Sequence, residues 1–251
     1  MRAFAFTDRG GHRERNEDAV LCGEVIARQE MEAPEESQLP PGGFLGAVAD
    51  GMGGGPGGAE AARIILSALA GAVLPGFWEE ARELVQAVCR HAAEGLTRLA
   101  GGRPELAGLG TAVAGLWARG DRALAFNCGD CRVYRIRHGF FDLLTKDHSL
   151  VYELYASGAL EEEAMAAHPL KHILTSSIQD SADPPRVFFR EVPLIAGDSF
   201  FLCSDGVWEA LPRAELERLA SSGPPGESAS LVARALKGLG ARDNTSFLWI
   251  C

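Results

Sequence analysis

The stretch "GTAVAGLWARGDRALAFNCGDCRVYRIRHGFFDLLT" (110–145) changes the period of the chain. It divides into four strand-like runs, GTAVAGLWA (110–118), RALAFNCG (122–129), CRVYRIR (131–137) and FFDLLT (140–145), joined by RGD, GD and HG. Connections that short imply antiparallel hairpins, because a parallel crossover needs a dozen residues or more. Upstream, apolar residues recur at helical spacing over 58–74 (Ala62, Ile65, Leu66, Leu69, Val73) and over 78–100 (Trp78, Leu84, Val85, Val88, Ala92, Leu96, Leu99). Before those lie the β-like runs RAFAFTD (2–8), AVLCGEVIA (19–27) and GFLGAVAD (43–50), with the acidic, proline-containing segment 28–43 expected as an exposed loop. Downstream, 146–185 is polar, mixed and partly helical. The strands RVFFREVPL (186–194) and SFFLCSD (199–205), helices over 212–222 and 227–239, and a last strand TSFLWIC (245–251) follow. Hairpin groups interrupted by helix pairs describe one α+β domain over 1–251, two antiparallel sheets packed face to face with helices outside.

A chain of 251 residues can bury a large core, and 47% hydrophobic with 23% charged residues is ordinary for a globular protein. A net charge of −10 argues against nucleic-acid binding and against docking on an anionic membrane. No run reaches the roughly 18 apolar residues of a membrane span, and MRAFAFTDRG has no adequate signal-peptide core. The six cysteines are scattered, and Cys128-x-x-Cys131 lacks the second pair that a zinc site needs. They read as small core residues of a cytoplasmic protein.

Chemistry is concentrated in carboxylates at strand ends and turns: Glu17 and Asp18 in RNEDAV, Asp50 in VADGMGG, Asp130 in NCGDCRVY, Asp205 in LCSDGVWEAL, and Asp243 in ARDNTSF. Any one of them has a local explanation, since Asp favours turns by bonding nearby backbone N–H groups. Together they do not. If those strand ends meet, like charges crowd into a dry site that only cations can neutralise, and all-oxygen donors select Mg²⁺ or Mn²⁺. Two ions sharing a carboxylate can activate water and clamp a phosphoryl oxygen, and Asp50 is the natural bridge. After Asp50, six of the next eight residues are glycine. Glycine costs about 0.5–1 kcal/mol against alanine in regular structure, so something there requires bare backbone: a tight turn, a close approach by another chain segment, or a ligand, with an approach by ions and phosphate to the main chain the expectation.

The ordered set GGHRERNEDAV, ADGMGG, GTAVAGLW, NCGDCRVYRI, LTKDHSLV, FLCSDGVWEAL and RDNTSF resembles the PP2C-type (PPM) protein serine/threonine phosphatases over about residues 4–250. That resemblance implies an αββα sandwich and hydrolysis of protein phosphoserine and phosphothreonine by water activated at a dinuclear Mn/Mg centre. Residue by residue, it implies a phosphate-binding role for Arg13, metal-bound water at Asp18 and an outer-shell role for Glu17. It implies a bridging ligand at Asp50, a carbonyl ligand at Gly51, further ligands at Asp205 and Asp243, and a supporting hydrogen-bonder at Asn244. Asp130 matches a ligand of a third, weaker ion. The segment 146–185 corresponds to the family's flap.

This chain also departs from the family. Met52 stands where animal members have a histidine proposed as general acid. Cys131 replaces the usual serine of GDSR, which keeps the turn but alters the rim, and KHILTSS (171–177) replaces the Arg-Asn pair of bacterial relatives. His148 reads as a hydrogen-bonded structural residue, His12, His91, His138, His168 and His172 show no ligand spacing, and RIRH (135–138) reads as a solvated strand face. Expected partners are phosphoproteins and a bacterial Ser/Thr kinase that the enzyme, a monomer, opposes, kinases regulating type VI secretion among them. Two alternatives are a non-catalytic, metal-dependent phosphoprotein-binding module and a phosphatase of the partner-switching, anti-sigma-antagonist kind.

Overall fold

The computed structural model describes the chain except residues 41, 54–55, 74–75, 107, 166–167 and 182. The first half runs β1 (Arg2–Asp8), β2 (Ala19–Cys22), β3 (Val25–Ala27), β4 (Glu35–Gln38), β5 (Phe44–Met52), α1 (Pro56–Ala70), α2 (Trp78–Ala100), β6 (Gly110–Arg119) and β7 (Arg122–Cys128). The second runs β8 (Arg132–Arg137), β9 (Phe140–Leu143), α3 (Leu150–Ala156), α4 (Glu162–Met165), β10 (Ile178–Gln179) and β11 (Phe188–Pro193). It closes with β12 (Ser199–Cys203), α5 (Asp205–Ala210), α6 (Arg213–Ala220), α7 (Pro225–Leu239) and β13 (Thr245–Ile250). One antiparallel sheet has the order β4-β1-β13-β12-β8-β9; the other has β11-β7-β6-β5-β2-β3, with β10 pairing β6.

Side-chain alternation sorts these strands into three apolar layers. On β13, Leu248 and Ile250 face the space between the sheets, while Phe247 and Trp249 face outward against α7. On β6, Ala112, Ala114, Leu116 and Ala118 face inward, while Val113 and Trp117 face α1 and α2. The layer between the sheets mixes small alanines (Ala3, Ala5, Ala112, Ala114, Ala118, Ala123, Ala125) with larger residues such as Phe44, Leu116, Phe200 and Leu248. The outer layer against α7 carries most of the aromatic bulk, with Phe201 stacked on Phe247 at 5.2 Å and edge-on to Trp249 at 5.6 Å. Helices thus flank a double sheet on both faces, the expected αββα arrangement.

Several local expectations need correction. The run 19–27 is not one strand: the chain turns at Gly23 (φ 63°), and β2 pairs with β3. The segment 28–43 is not wholly an exposed loop, because β4 adds to the edge of β1 and both Met31 and Leu39 are buried. The first helix ends at Ala70 rather than 74, leaving Val73 90% exposed; residue 74 lies outside the described residues. RIRH is not simply solvated, since Arg135 pairs with Asp142 at 2.7 Å and Arg137 with Asp198 at 2.6 Å.

The largest correction concerns GD (129–130). The loops 120–121 and 138–139 do close hairpins. The strands β7 and β8 do not pair: they belong to different sheets, so 129–131 crosses from one to the other. Gly129 takes φ 108° there, and a Cβ on it would fall 2.4 Å from the Cβ of Ala112. Cys131 consequently sits between the sheets, fully buried, and not on a rim.

Gly115 provides a test of the packing. It lies opposite Phe126, whose ring would stand 2.2 Å from an added Cβ. Gly115→Ala should therefore lower stability by about 1–3 kcal/mol, the usual cost of overpacking, read from the midpoint of urea unfolding. An unchanged midpoint would mean that the ring is free to move aside.

Candidate metal centre

The carboxylates converge because strand ends and sheet crossings meet at one end of the sandwich. Asp50 lies near the end of β5 and Asp18 immediately precedes β2; Asp130 is on the crossover, Asp205 opens α5, and Asp243 lies two residues before β13. Asp50, Gly51, Asp130, Asp205, Asp243, Asn244, Glu17 and Arg13 line a single cleft of about 740 Å³, with Met52, His172 and Leu174 also on its wall. Asp18 does not line it. That residue is 2% exposed and sits behind the others.

Electrostatics in this cluster are unfavourable for anions. Burial pushes Asp18 up to about 7, with Asp205 and Asp243 adding repulsion against the relief given by hydroxyl hydrogen bonds. Asp205 rises to about 6 through burial and then Asp243. Asp50 and Asp130 are raised well above the usual carboxylate range, first by burial and then by Asp205. Asp18 Oδ1 and Asp205 Oδ1 are buried with no hydrogen-bond partner among the described residues. Orphaned carboxylate oxygens in a crowd of like charges fit a divalent cation, and a donor set made of oxygen alone fits Mg²⁺ or Mn²⁺.

Hydrogen bonds hold the cluster from behind. Ser204 Oγ donates to Asp18 Oδ2 at 2.8 Å, and Ser246 N donates to Ser204 Oγ at 3.0 Å. The Ser246 hydroxyl meets that of Thr7 at 2.7 Å, and Asn16 Nδ2 donates to Thr7 Oγ1 at 2.7 Å. Asn244 ties the N-terminal loop to the Asp243 loop: its Nδ2 donates to the carbonyls of Arg9 and Arg15, and its Oδ1 accepts from Glu17 N, each at 2.9 Å. Arg13 Nη2 donates to Asp243 Oδ2 at 2.5 Å, while its guanidinium remains more than half exposed to the cleft.

At two positions the glycines after Asp50 serve a close approach by another chain segment. A Cβ on Gly51 would lie 2.2 Å from the carbonyl oxygen of Gly58 and 2.6 Å from that of Glu17. A Cβ on Gly58 would lie 2.5 Å from Glu17 Oε2. Bare backbone there lets α1, β5 and the Glu17 loop pack together, and burial beside them raises Glu17. Gly54 and Gly55 lie outside the described residues.

His172, read in the sequence as lacking ligand spacing, comes close to Asp205, and Glu209 and Lys171 beside it were not singled out. His172, Asp205 and Glu209 bring ligand atoms within 4.8 Å of one another, and Lys171 Nζ lies 2.8 Å from Glu209 Oε1. Glu209 follows Asp205 by four residues on α5, a spacing that would have placed both on one helix face. No pattern in 146–185 points to His172. His148, in contrast, is structural as expected: its Nδ1 accepts from Gly129 N at 3.1 Å.

Comparison with known proteins shows the family. A serine/threonine phosphatase, stp, of Listeria innocua serovar 6a is 30% identical over 261 residues, covering all of this chain and 95% of that protein. The S. agalactiae serine/threonine phosphatase superposes with a TM-score of 0.86 at 26% identity, over 100% of this chain and 99% of that one. PppA, described as a key regulatory component of T6SS in Pseudomonas aeruginosa, gives 0.81 at 27% identity over 99% and 96%. The catalytic domain of PstP in complex with 2 manganese ions shares the fold at 0.74 and 24% identity over 99% and 98%. The protein phosphatase 2C family model matches residues 36–234, and the chain belongs to that family of serine/threonine protein phosphatases.

Proposed function

We propose that this phosphatase works through Mn²⁺ or Mg²⁺ held by Asp50, Asp205, Asp243 and the Gly51 carbonyl, with Asp18 behind them and Asp130 serving a third, weaker ion. The observation that carries this reading is the convergence of four carboxyls with raised affinity for protons, two of them with orphaned buried oxygens. When bound, such ions would supply charge for the phosphoryl oxygens and activate water.

The protein's own groups do the rest. Arg13 offers a planar fork of donors to the phosphate, and its bond to Asp243 aims that fork into the cleft. Asp18, held by Ser204, accepts hydrogen bonds at the rear of the site. Asn244 and Glu17 keep the two loops in register. Met52 has no proton to give a leaving serine or threonine, so a water or the metal centre would have to supply it. The segment 146–185 acts as a flap at the cleft wall, where it places His172 and Leu174.

Phosphoproteins are the substrates of such an enzyme. For its setting, we infer a cytoplasmic enzyme opposing a Ser/Thr kinase, one controlling type VI secretion among the candidates. All six cysteines are free, which suits a reducing compartment, and no helix of the described residues is long and apolar enough to cross a membrane. Likeness to PppA supports the secretion link.

Release of phosphate from a phosphothreonine peptide tests the centre. EDTA should abolish activity and Mn²⁺ restore it, while Asp205→Asn should lower the rate about 100-fold or more. Near-full activity in that variant would remove Asp205 from the machinery. Arg13→Ala should raise KM for the peptide about tenfold or more, the worth of a charge-assisted hydrogen bond. Mn²⁺ affinity should not fall, because the substitution frees Asp243. A parallel loss of Mn²⁺ binding would instead assign Arg13 to the folding of the N-terminal loop.

A further inference from the structure

Helix α5 reaches the carboxylate cluster twice. Its first residue is Asp205, and its fourth, Trp208, donates Nε1–H to the carbonyl of Asp130 at 3.1 Å. The Trp208 ring also lies 3.8 Å from the guanidinium carbon of Arg132. Arg132 is itself pinned: Nε and Nη2 donate to Asp147 at 3.1 and 2.6 Å, and Nη1 donates to the Tyr134 hydroxyl at 3.1 Å. Asp147 is only 3% exposed at its side chain, so this ion pair is shielded from water and resists distortion.

The crossover is gripped from its other side as well. His148 N donates to the Gly129 carbonyl at 2.9 Å, Gly129 N donates back to His148 Nδ1, and Asn127 Nδ2 donates to the same carbonyl at 3.0 Å. Gly129 is therefore fixed by β7 and the segment after β9. Asp130, one residue on, is fixed by α5. The first turn of that helix is seated in turn, since a Cβ on Gly206 would fall 2.0 Å from the Asn244 carbonyl oxygen.

We propose that Trp208 is a positioning residue, whose indole N–H and ring stacking lock Asp130 to the helix that carries Asp205 and so set the separation of those two carboxyls. A peripheral ion shared by Asp130 and Asp205 depends on that separation more than the ions at Asp50 do. Trp208 touches no reacting atom; it acts through Asp130. The inference rests on the reading of Asp130 as an ion ligand, and the experiment separates the two.

The test is Mn²⁺ titration of the full chain followed by electron paramagnetic resonance, with melting curves in parallel. Trp208→Phe keeps an aromatic ring over Arg132 and removes the N–H; Asp130→Asn is the control for the ion. Asp130→Asn should weaken the loosest class of bound Mn²⁺. Trp208→Phe should weaken the same class about fivefold, as loss of one hydrogen bond would, and leave the tighter ions unchanged. Its melting temperature should fall by no more than about 2–4 °C. Wild-type affinity in Trp208→Phe, beside a loss in Asp130→Asn, overturns the positioning role. Equal weakening of every ion together with a large drop in melting temperature makes Trp208 a packing residue and also overturns it. If Asp130→Asn binds the loosest ion normally, the ligand reading fails and takes the proposal with it.

Discussion

Placing one carboxylate in a dry site costs its ionisation; placing three more beside it raises that cost for each. Asp18, Asp50, Asp130 and Asp205 are in this position, held close enough that burial and mutual repulsion shift all four upward. A carboxyl whose folded pKa exceeds its unfolded value binds protons better when folded. Below the unfolded value of about 4 it costs nothing; the cost then grows as pH rises, and it is complete above the folded value. For Asp205 and Asp18 that window closes near the values of about 6 and about 7. At neutral pH the cation-free fold therefore carries an uncompensated local charge that divalent ions would cancel, and the same feature that strains the fold would draw cations into the cleft.

The surrounding structure is organised to keep that cluster from relaxing. The strands β5 and β12 are joined through the buried layer between the sheets, where Val48, Ala112 and Leu202 belong to one apolar cluster. The Ser204, Ser246 and Thr7 hydroxyls brace Asp18 from the rear, with Asn16 beyond them. Gly51 and Gly58 let α1 close down on the Glu17 loop, and Asn244 stitches that loop to the Asp243 turn. Several of these braces cross between segments distant in sequence, Ser204 to Asp18 and Asn244 to Glu17 among them. The site is thus a property of the sandwich, and no single motif could form it alone.

That dependence decides what the sequence could reveal. Strand alternation over 110–145 and helical spacing over 78–100 are local, so the layers were legible, and α2 spans Trp78–Ala100 as the spacing predicts. The membership of β7 and β8 in different sheets was not, because GD between two strands reads as a hairpin unless the sheets are already known. Edge pairing of β4 was hidden by its acidic composition (Glu35, Glu36). For the site, the acidic residues announced themselves at strand ends, whereas Ser204, Thr7 and Trp208 did not. A hydroxyl or an indole becomes a brace only when a partner some 80 to 240 residues away arrives. The glycines were visible, but composition could not name what approaches them, backbone of Gly58 and Glu17 at Gly51 and the Glu17 carboxylate at Gly58.

Charge neutralisation at Asp50 tests the account most directly. Asp50→Asn removes one charge from the centre of the cluster while nearly preserving the side-chain shape. In metal-free buffer at pH 7.5 the variant should melt at a higher temperature than the parent protein, and the upward shift that Mn²⁺ gives the parent should shrink or vanish. A variant that melts lower without metal, or that keeps the full Mn²⁺ shift, would contradict the claim that crowded carboxylates are what the ions are there to relieve.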